Sequence, residues 1–359
     1  VNGKVLEQLT HLAAPWVGVD PAGDDVAFST RVRLARNLDG FPFPSRASAT
    51  QREQILHRLF RCADIVFSSA PLISIDMGDL EDVERHLLLE RRLISRELCH
   101  MGRGSGVIVG ADACSSVVVN EEDHVRIQTM ASGLCLRQAW KTADDMDNRL
   151  QSCVDLAFRQ DLGFLTACPT NLGTGMRASV MLHLPGLALC GQANAVVRAA
   201  VKLGMTVRGI YGEGSRAVGH LFQLSNQSTL GESEGQILDR LEGVVRQIAW
   251  HEQSARLRLL RDEPERIYDY VGKAYGILRY SHMITAEDAL DRLAALRLGV
   301  DLKLIQGRMD RETIGRLMVT VQPGHLQQTT GTPLSETERD ARRAEILRAA
   351  MGACENRGR

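Results

Sequence analysis

Two strand-like runs, Gly106-Val107-Ile108-Val109 and Ser116-Val117-Val118-Val119, lie so close together that only a turn fits between them. A parallel pair needs a crossover of about a dozen residues or more, so these two must pair as a hairpin, and the sheet that holds them is antiparallel there. Around them, from Val26 to about Arg216, further strand-like runs such as Met205 to Tyr211 alternate with helical stretches such as Ala49 to Cys62 and Met146 to Phe158. From Glu232 onward the pattern becomes helix after helix, with Ile237, Leu241, Val244, Val245, Ile248, Ala255 and Leu259 at three- and four-residue spacing. The predicted class is α+β, an antiparallel sheet flanked by helices followed by an all-helical part.

The finer organisation reads as an N-terminal segment over 1–25, a mixed unit over 26–254 and a helical unit over 255–359. Val5 to Leu12 reads as a short helix ahead of a loop marked by Pro15, Gly18, Pro21 and Gly23. Thr285-Ala286-Glu287-Asp288 has the form of a helix N-terminus. Val319 to Leu334, with Pro323, Gly324, Gly331 and Pro333, reads as a loop before a last helix that Ser335 opens, with Glu338 three residues on.

The 359 residues suffice for a large core, and 43 basic against 44 acidic side chains give no overall field that favours nucleic acid or a membrane. The eight cysteines are scattered, without a C-x-x-C pair or clustered histidines, which argues against a disulfide framework and a zinc site. With no leader-like N-terminus and no apolar run long enough to span a bilayer, the expected setting is a reducing cytoplasm.

Chemistry concentrates first in Asn120-Glu121-Glu122-Asp123-His124-Val125-Arg126, directly after the run Ser115 to Val119. Three adjacent carboxylates repel one another, a cost that a mere strand end avoids with Gly, Asn or a single Asp. On this segment alone the cluster holds a metal ion, a guanidinium or ammonium group, or is a solvated turn. Four other segments bear on the choice: Ser29-Thr30-Arg31-Val32-Arg33-Leu34-Ala35-Arg36-Asn37, Cys168-Pro169-Thr170-Asn171-Leu172-Gly173-Thr174-Gly175, Arg177-Ala178-Ser179-Val180-Met181 and Arg208-Gly209-Ile210-Tyr211-Gly212-Glu213.

In order and spacing these five segments resemble the phosphagen kinase family, the ATP:guanidino phosphotransferases, across roughly residues 26 to 254. The resemblance is closest to the bacterial protein arginine kinases, because the first arginine motif begins near residue 29, where small-molecule members carry a helical domain ahead of it. It implies a catalytic domain of the phosphagen kinase, glutamine synthetase-like kind, dependent on ATP and Mg²⁺. Arg31, Arg33, Arg126, Arg177 and Arg208 are then the phosphate-binding arginines, each of which would pass singly for a surface residue. The flanking Ser29, Thr30, Val32, Ala178, Ser179, Val180, Met181, Gly209, Ile210, Tyr211 and Gly212 complete the ATP-binding motifs, with Arg92 at the position usually held by a histidine. Arg36 reads as structural.

Phosphoryl transfer asks the protein for charge neutralisation and positioning more than for covalent chemistry. Arg31 and Arg33, two apart in a strand-like segment, project from one face and can grip a polyphosphate together. A guanidinium acceptor arrives protonated and planar, so one carboxylate to hold its fork and one to take a proton answer both needs. The resemblance assigns these roles to Glu122 and Glu213, with Glu122 the base, and leaves Glu121 and Asp123 to bind waters of the magnesium ion. Cys168 stands at the family's reactive cysteine position, where its thiolate would polarise the bound guanidinium without carrying phosphate; by itself it would read as a small buried hydrophobe.

The last motif, Arg339-Asp340-Ala341-Arg342-Arg343-Ala344, reads alone as a solvated helix face. It matches the R-D-x-x-R-A motif of the protein arginine kinases, which implies a regulatory phosphoarginine pocket of Arg339, Asp340, Arg343 and Ala344. The expected activity is transfer of the ATP γ-phosphate to arginine side chains of proteins. Implied partners are substrates with exposed arginines, a zinc-finger activator, Clp-type protease components and a second copy of the chain, with neither nucleic acid nor membrane. A kinase of free arginine or another small guanidino compound is the first alternative, and a non-catalytic phosphoarginine-binding protease adaptor the second.

Overall fold

The protein is seen in a computed structural model, which describes the chain except residues 1–5, 7–8, 11, 13, 15–16, 19–25, 70–72, 210–217, 306–308 and 356–359. The described strands are β1 (Ala27–Arg36), β2 (Ile73–Asp76), β3 (Gly106–Val109), β4 (Ser115–Val119), β5 (Val125–Ser132), β6 (Phe158–Arg159), β7 (Gly163–Phe164), β8 (Met176–His183), β9 (Met205–Gly209) and β10 (Leu221–Asn226). Eight of them form one sheet in the order β2-β3-β4-β5-β1-β8-β10-β9, and every neighbouring pair is antiparallel. The β3–β4 hairpin is among them, with Val107 opposite Val118. β6 and β7 make a separate two-stranded ribbon.

The main helices are α1 (Ala49–Arg61), α2 (Ala63–Phe67), α3 (Asp82–Glu90), α4 (Arg96–Cys99), α5 (Leu136–Gln151), α6 (Pro185–Leu189), α7 (Ala193–Lys202), α8 (Glu234–Asp262), α9 (Pro264–Tyr280), α10 (Ala286–Asp301), α11 (Arg311–Thr320), α12 (Pro323–Thr330) and α13 (Glu336–Glu355). None of the helices among the described residues is long and apolar enough to cross a membrane. Of the expected N-terminal helix, Val5 to Leu12, only Leu6, Leu9, Thr10 and Leu12 are described, with Leu6 and Leu9 buried.

Period-two alternation divides the sheet into two unlike faces. Val32, Leu34, Ile108, Val117, Val119, Val125, Ile127, Ala178, Val180 and Leu224 pack on one of them under α1, α5 and α8. On the other face apolar residues such as Ile75, Val107, Val118, Met181 and Leu221 join a core shared with α3 and the helices after α9, including Leu290, Leu293 and Leu347. The middle of that second face is polar, and the site lies there.

Three sequence readings shift. The helix predicted over Met146 to Phe158 instead spans Leu136–Gln151, because Leu136, Ala139, Ala143, Met146 and Leu150 form its buried stripe. Beyond it the backbone of 155–157 pairs with the end of β1, through Asp39 N–H to Asp155 O (3.0 Å) and Ala157 N–H to Asn37 O (2.8 Å), and helix cannot continue. The loop predicted over Val319 to Leu334 contains α12: Pro323 stands in its first turn, where a missing N–H costs nothing, and Gly331 ends it in a left-handed conformation (φ 68°). The long α8 carries all the expected apolar positions and runs through residue 255 without a break, turning only at Glu263. The caps predicted at Thr285 and Ser335 form, the latter with Glu338 in reciprocal hydrogen bonds.

Buried ion pairs join these layers. Arg36, 1 % exposed, donates from Nε and Nη2 to Asp147 of α5 (3.0 and 2.9 Å), from Nη1 to the carbonyls of Ala35 and Thr174, and lies over the Phe164 ring. Gly175 permits this approach: at φ 64° a Cβ would stand 2.5 Å from Arg36 Nη1 and 2.6 Å from Ala35 O. Arg36 is thus structural, as read. Farther along, Asp301 of α10 holds Arg256 of α8 (3.2 Å) and Arg311 of α11 (2.7 Å). Asp147→Ala leaves the Arg36 charge buried without its carboxylate, so urea unfolding should show a loss of about 3–5 kcal/mol; a loss near zero would remove the pair from the framework.

Candidate active site

β1 alternates Arg31 and Arg33 onto the polar face, and the strand register extends the row. Arg33 lies opposite Arg177 of β8 and Gln128 of β5, Arg126 lies opposite Ala35, and Arg208 of β9 lies opposite Gln223 of β10. Gln223 Oε1 accepts from Arg31 Nη2 (2.9 Å), and Ser225 Oγ accepts from Arg177 Nη2 (3.4 Å). Arginines from β1, β5, β8 and β9 therefore share one surface. Arg92 joins them at the connection after α3: it has φ 61°, its carbonyl accepts from Gln128 Nε2 (2.7 Å), and its charge acts on Arg31.

The alternation also separates residues that the motifs list side by side. Thr30, Val32, Ala178 and Val180 belong to the opposite, helix-covered face, so their side chains are core and not ligand contacts, contrary to the reading of whole motifs as nucleotide-binding. Thr30 Oγ1 is spent on Gly133 O (2.6 Å) and the Cys135 amide (3.0 Å). Ser29, Ser179 and Met181 are buried, and Ser179 Oγ donates to Arg31 O. Gly209 ends β9, whereas Ile210, Tyr211, Gly212 and Glu213 lie outside the described residues.

Gathered guanidinium groups repel one another, and burial compounds the repulsion. The Arg31 guanidinium is pushed down to about 9, first by burial and then by Arg92, Arg126 and Arg177. Arg33 is likewise held well below its ordinary value, by burial and then by Arg31, Arg126 and Arg177, with Glu121 opposing, and its buried Nε has no hydrogen-bond partner among the described residues. A guanidinium keeps its proton at neutral pH, so the strain is resolved by anionic charge placed among these groups. Their spread over several strands suits an extended polyanion such as a triphosphate.

The acidic turn links β4 to β5 beside this surface. Asn120 adopts φ 55° and donates from Nδ2 to the carbonyls of Arg52 and Gly104 (2.8 and 2.7 Å). The three acids then go to different tasks. Glu121 is buried, ion-pairs with Arg126 and accepts from Ser95 Oγ. Asp123 is buried, and its Oδ1 accepts from Asn37 Nδ2 (2.6 Å) and the Ala167 amide (2.7 Å). Only Glu122 keeps an exposed side chain (47 %), with Arg126 Nη2 4.0 Å away. Its carboxyl is raised above the usual range, first by burial of part of the group and then by Asp123, against the pull of Arg126. His124 is buried and pushed down by that burial; its Nδ1 accepts from Leu38 N–H (3.1 Å), so the proton is on Nε2, which donates to Pro42 O (2.9 Å).

Cys168 follows Ala167 directly and is half-buried, its Sγ 3.0 Å from Thr170 Oγ1. The Asp123–Ala167 bond ties its loop to the acidic turn. Among the described residues no three His, Cys, Asp or Glu side chains are arranged as a metal site. With Glu121 and Asp123 committed as above, these carboxylates fit a hydrated ion held chiefly by phosphates and not an inner-sphere cage. Gln128, Gln223, Ser225, Ser95 and Asn37 are contributors that motif reading missed. Only Gln128 had a signal, its place two residues after Arg126 on one strand.

The R-D-x-x-R-A segment lies on α13. Arg343 is buried and donates to Val321 O (2.8 Å) and Ile284 O (2.7 Å) besides pairing with Asp340, and Ala344 is buried beneath it. Arg339, half-exposed, donates to Leu334 O (2.8 Å). Arg339 and Asp340 therefore stand nearer the surface than Arg343.

Residues 66–255 match the family described as ATP:guanido phosphotransferase, C-terminal catalytic domain, and residues 264–359 match the protein-arginine kinase McsB C-terminal domain. A protein-arginine kinase of Halothermothrix orenii is 43% identical over 336 residues, covering 94% of this chain and 96% of its own. One from Moorella thermoacetica is 42% identical over 330 residues, covering 91% and 94%. Among solved structures, the substrate-free duplicated taurocyamine kinase of Schistosoma mansoni aligns with a TM-score of 0.57 at 26% identity, over 71% of this chain and 38% of that one. A lombricine kinase crystal structure shares the fold with a TM-score of 0.56 at 21% identity, over 68% and 70%.

Because Arg33 is half-buried among like charges, Arg33→Met should stabilise the ligand-free protein by about 1 kcal/mol or more, seen as a higher unfolding midpoint. Pyrophosphate should raise the wild-type midpoint more than that of the variant; equal increments would mean that Arg33 does not meet the anion.

Proposed function

This chain belongs to the ATP:guanido phosphotransferase family, and from that membership we propose that it transfers the γ-phosphate of ATP to arginine side chains of proteins. The observation that carries the reading is the convergence of arginines from four strands on one sheet face, beside an acidic turn that leaves Glu122 exposed and is hydrogen-bonded to the Cys168 loop. Residues from 26 to the end of α8 at 262 form the catalytic unit and 264–359 the regulatory helical unit in this proposal.

Arg31, Arg33, Arg126, Arg177 and Arg208 clamp the phosphates, with Arg92 at the edge of the nucleotide site. A Mg²⁺ ion bound with the nucleotide would supply neutralisation of phosphate charge, and Glu121 and Asp123 are the residues that would hold its waters. The acceptor guanidinium sits between Glu122 and Cys168, with Glu213 as the second carboxylate. As the N–P bond forms and the bond to ADP breaks, the attacking nitrogen gives its proton to Glu122. Cys168 faces the guanidinium and polarises it away from the attacking nitrogen. A kinase of free arginine would use the same residues, so the acceptor must be tested directly: acid-labile phosphate on protein arginine and not on free arginine supports the proposal, and the reverse overturns it.

Within this reading the protein works in the cytoplasm as a homodimer with a zinc-finger activator and marks proteins for a Clp-type protease. Phosphoarginine acts back through Arg339 and Asp340, for which Arg343 and Ala344 form the buried support. Arg339→Ala should blunt activation by added phosphoarginine without lowering the basal rate; an unchanged response would reduce the segment to a packing helix.

A raised Glu122 pKa gives the pH profile its sign. The base works ionised, so kcat/KM should climb with pH through a range above that of an ordinary glutamate and level off beyond it. Glu122→Gln should cost about 10²–10⁴-fold in kcat, lose that limb and still bind ATP; a variant with the wild-type profile would exclude Glu122 as the base.

A further inference from the structure

Asn37 directly follows the arginine-rich strand β1, and each polar atom of its side chain is used. It is 2 % exposed. Nδ2 donates to Asp123 Oδ1 (2.6 Å) and to Leu165 O (3.0 Å), and Oδ1 accepts from the His124 amide (2.9 Å). One amide thus holds two separate loops: the acidic turn at Asp123 and His124, and the segment that leads to Cys168. Asp123 completes the link, since the oxygen that accepts from Asn37 also accepts from Ala167 N–H (2.7 Å). Glu122 precedes Asp123 by one residue, and Cys168 follows Ala167 by one.

We propose that Asn37 is a positioning residue for phosphoryl transfer, which acts through Asp123 to fix the separation of Glu122 and Cys168 and so shapes the pocket for the acceptor guanidinium. This rests on the roles given to Glu122 and Cys168 above. It also assigns Asp123 a new task, as the hinge pin of two loops. The chemistry requires an amide at residue 37. Asp there would keep the acceptor for His124 N–H but set a second carboxylate against Asp123, and a hydrocarbon would leave the Asp123 oxygen, the Leu165 carbonyl and the His124 amide short of partners. Loops that drift apart by an ångström misalign the acceptor while the arginine clamp stays in place.

The pair can be exchanged, which gives the test. In the full-length chain, Asn37→Asp should lower kcat/KM for a protein acceptor about tenfold to hundredfold, with KM for ATP little changed. The reciprocal double variant, Asn37→Asp with Asp123→Asn, restores a donor–acceptor pair of opposite polarity and leaves the new amide oxygen at position 123 for Ala167 N–H, while the Leu165 carbonyl stays without its donor, and should recover part of the loss. Asn37→Ala, which drops the donors without adding charge, carries the same comparison with the wild type if Asn37→Asp does not fold. Alkylation of Cys168 by iodoacetamide, followed by mass spectrometry of its peptide, reads the loop without any turnover: it should change in the single variants and return towards the wild-type rate in the exchange. Wild-type acceptor kinetics in Asn37→Asp, or an exchange as impaired as the single variant, would overturn the proposal and make Asp123 a direct contact. If the wild-type chain phosphorylated no protein arginine, the functional reading would fail, and unchanged alkylation across the variants would separately overturn the role of Asn37.

Discussion

Like charge held at short range on one sheet face is the constraint around which this molecule is built. Arg31, Arg33, Arg126 and Arg177 come from three adjacent strands, and burial makes their mutual repulsion felt, as the depressed Arg31 and Arg33 show. No single strand supplies the energy to hold them there. The opposite face does, where Val32, Leu34, Ile127 and Val180 pack against α1, α5 and α8; burying each such side chain contributes about 1.5–3 kcal/mol. The site is costly and its backing is well packed, an exchange familiar where function demands strain.

The same economy of roles runs through the acidic turn. Of three successive carboxylates, two are withdrawn into fixed contacts, Glu121 with Arg126 and Ser95, Asp123 with Asn37 and Ala167. Partial burial raises the Glu122 pKa first, and the charge of these two neighbours adds to it, so the structural pair helps to tune the exposed member. Arg36 does comparable work among the arginines: buried against Asp147 and stacked on Phe164, it anchors the end of the strand whose neighbours it resembles only in sequence.

The C-terminal helices are part of the sheet's support. Asp301 gathers Arg256 and Arg311, and Glu90 at the end of α3 accepts from the Gly324 and His325 amides at the start of α12 (2.7 and 3.0 Å). Because Arg92 follows α3 closely, the helical unit is in mechanical contact with the edge of the arginine surface.

Local pattern carried much of this. The closeness of Val109 and Ser116 dictated an antiparallel hairpin, Ser335 with Glu338 marked a helix start, and the arginines and acids of five segments marked the chemistry. What lay beyond reach of a linear reading depended on partners distant in the chain. Whether Thr30 or Arg31 faces the site is decided by which face α5 and α8 cover. Whether Pro323 and Gly324 belong to a loop or a helix is decided by Glu90, 234 residues away from Gly324, which caps the orphan amides. Asn37 looked like the tail of a motif until folding brought Asp123, His124 and Leu165 to it. Side-chain type and spacing determine which groups are available and which local conformations they favour; only tertiary packing decides their neighbours, because burial and hydrogen-bond partners, not the residues themselves, set what each charge costs and what it can do.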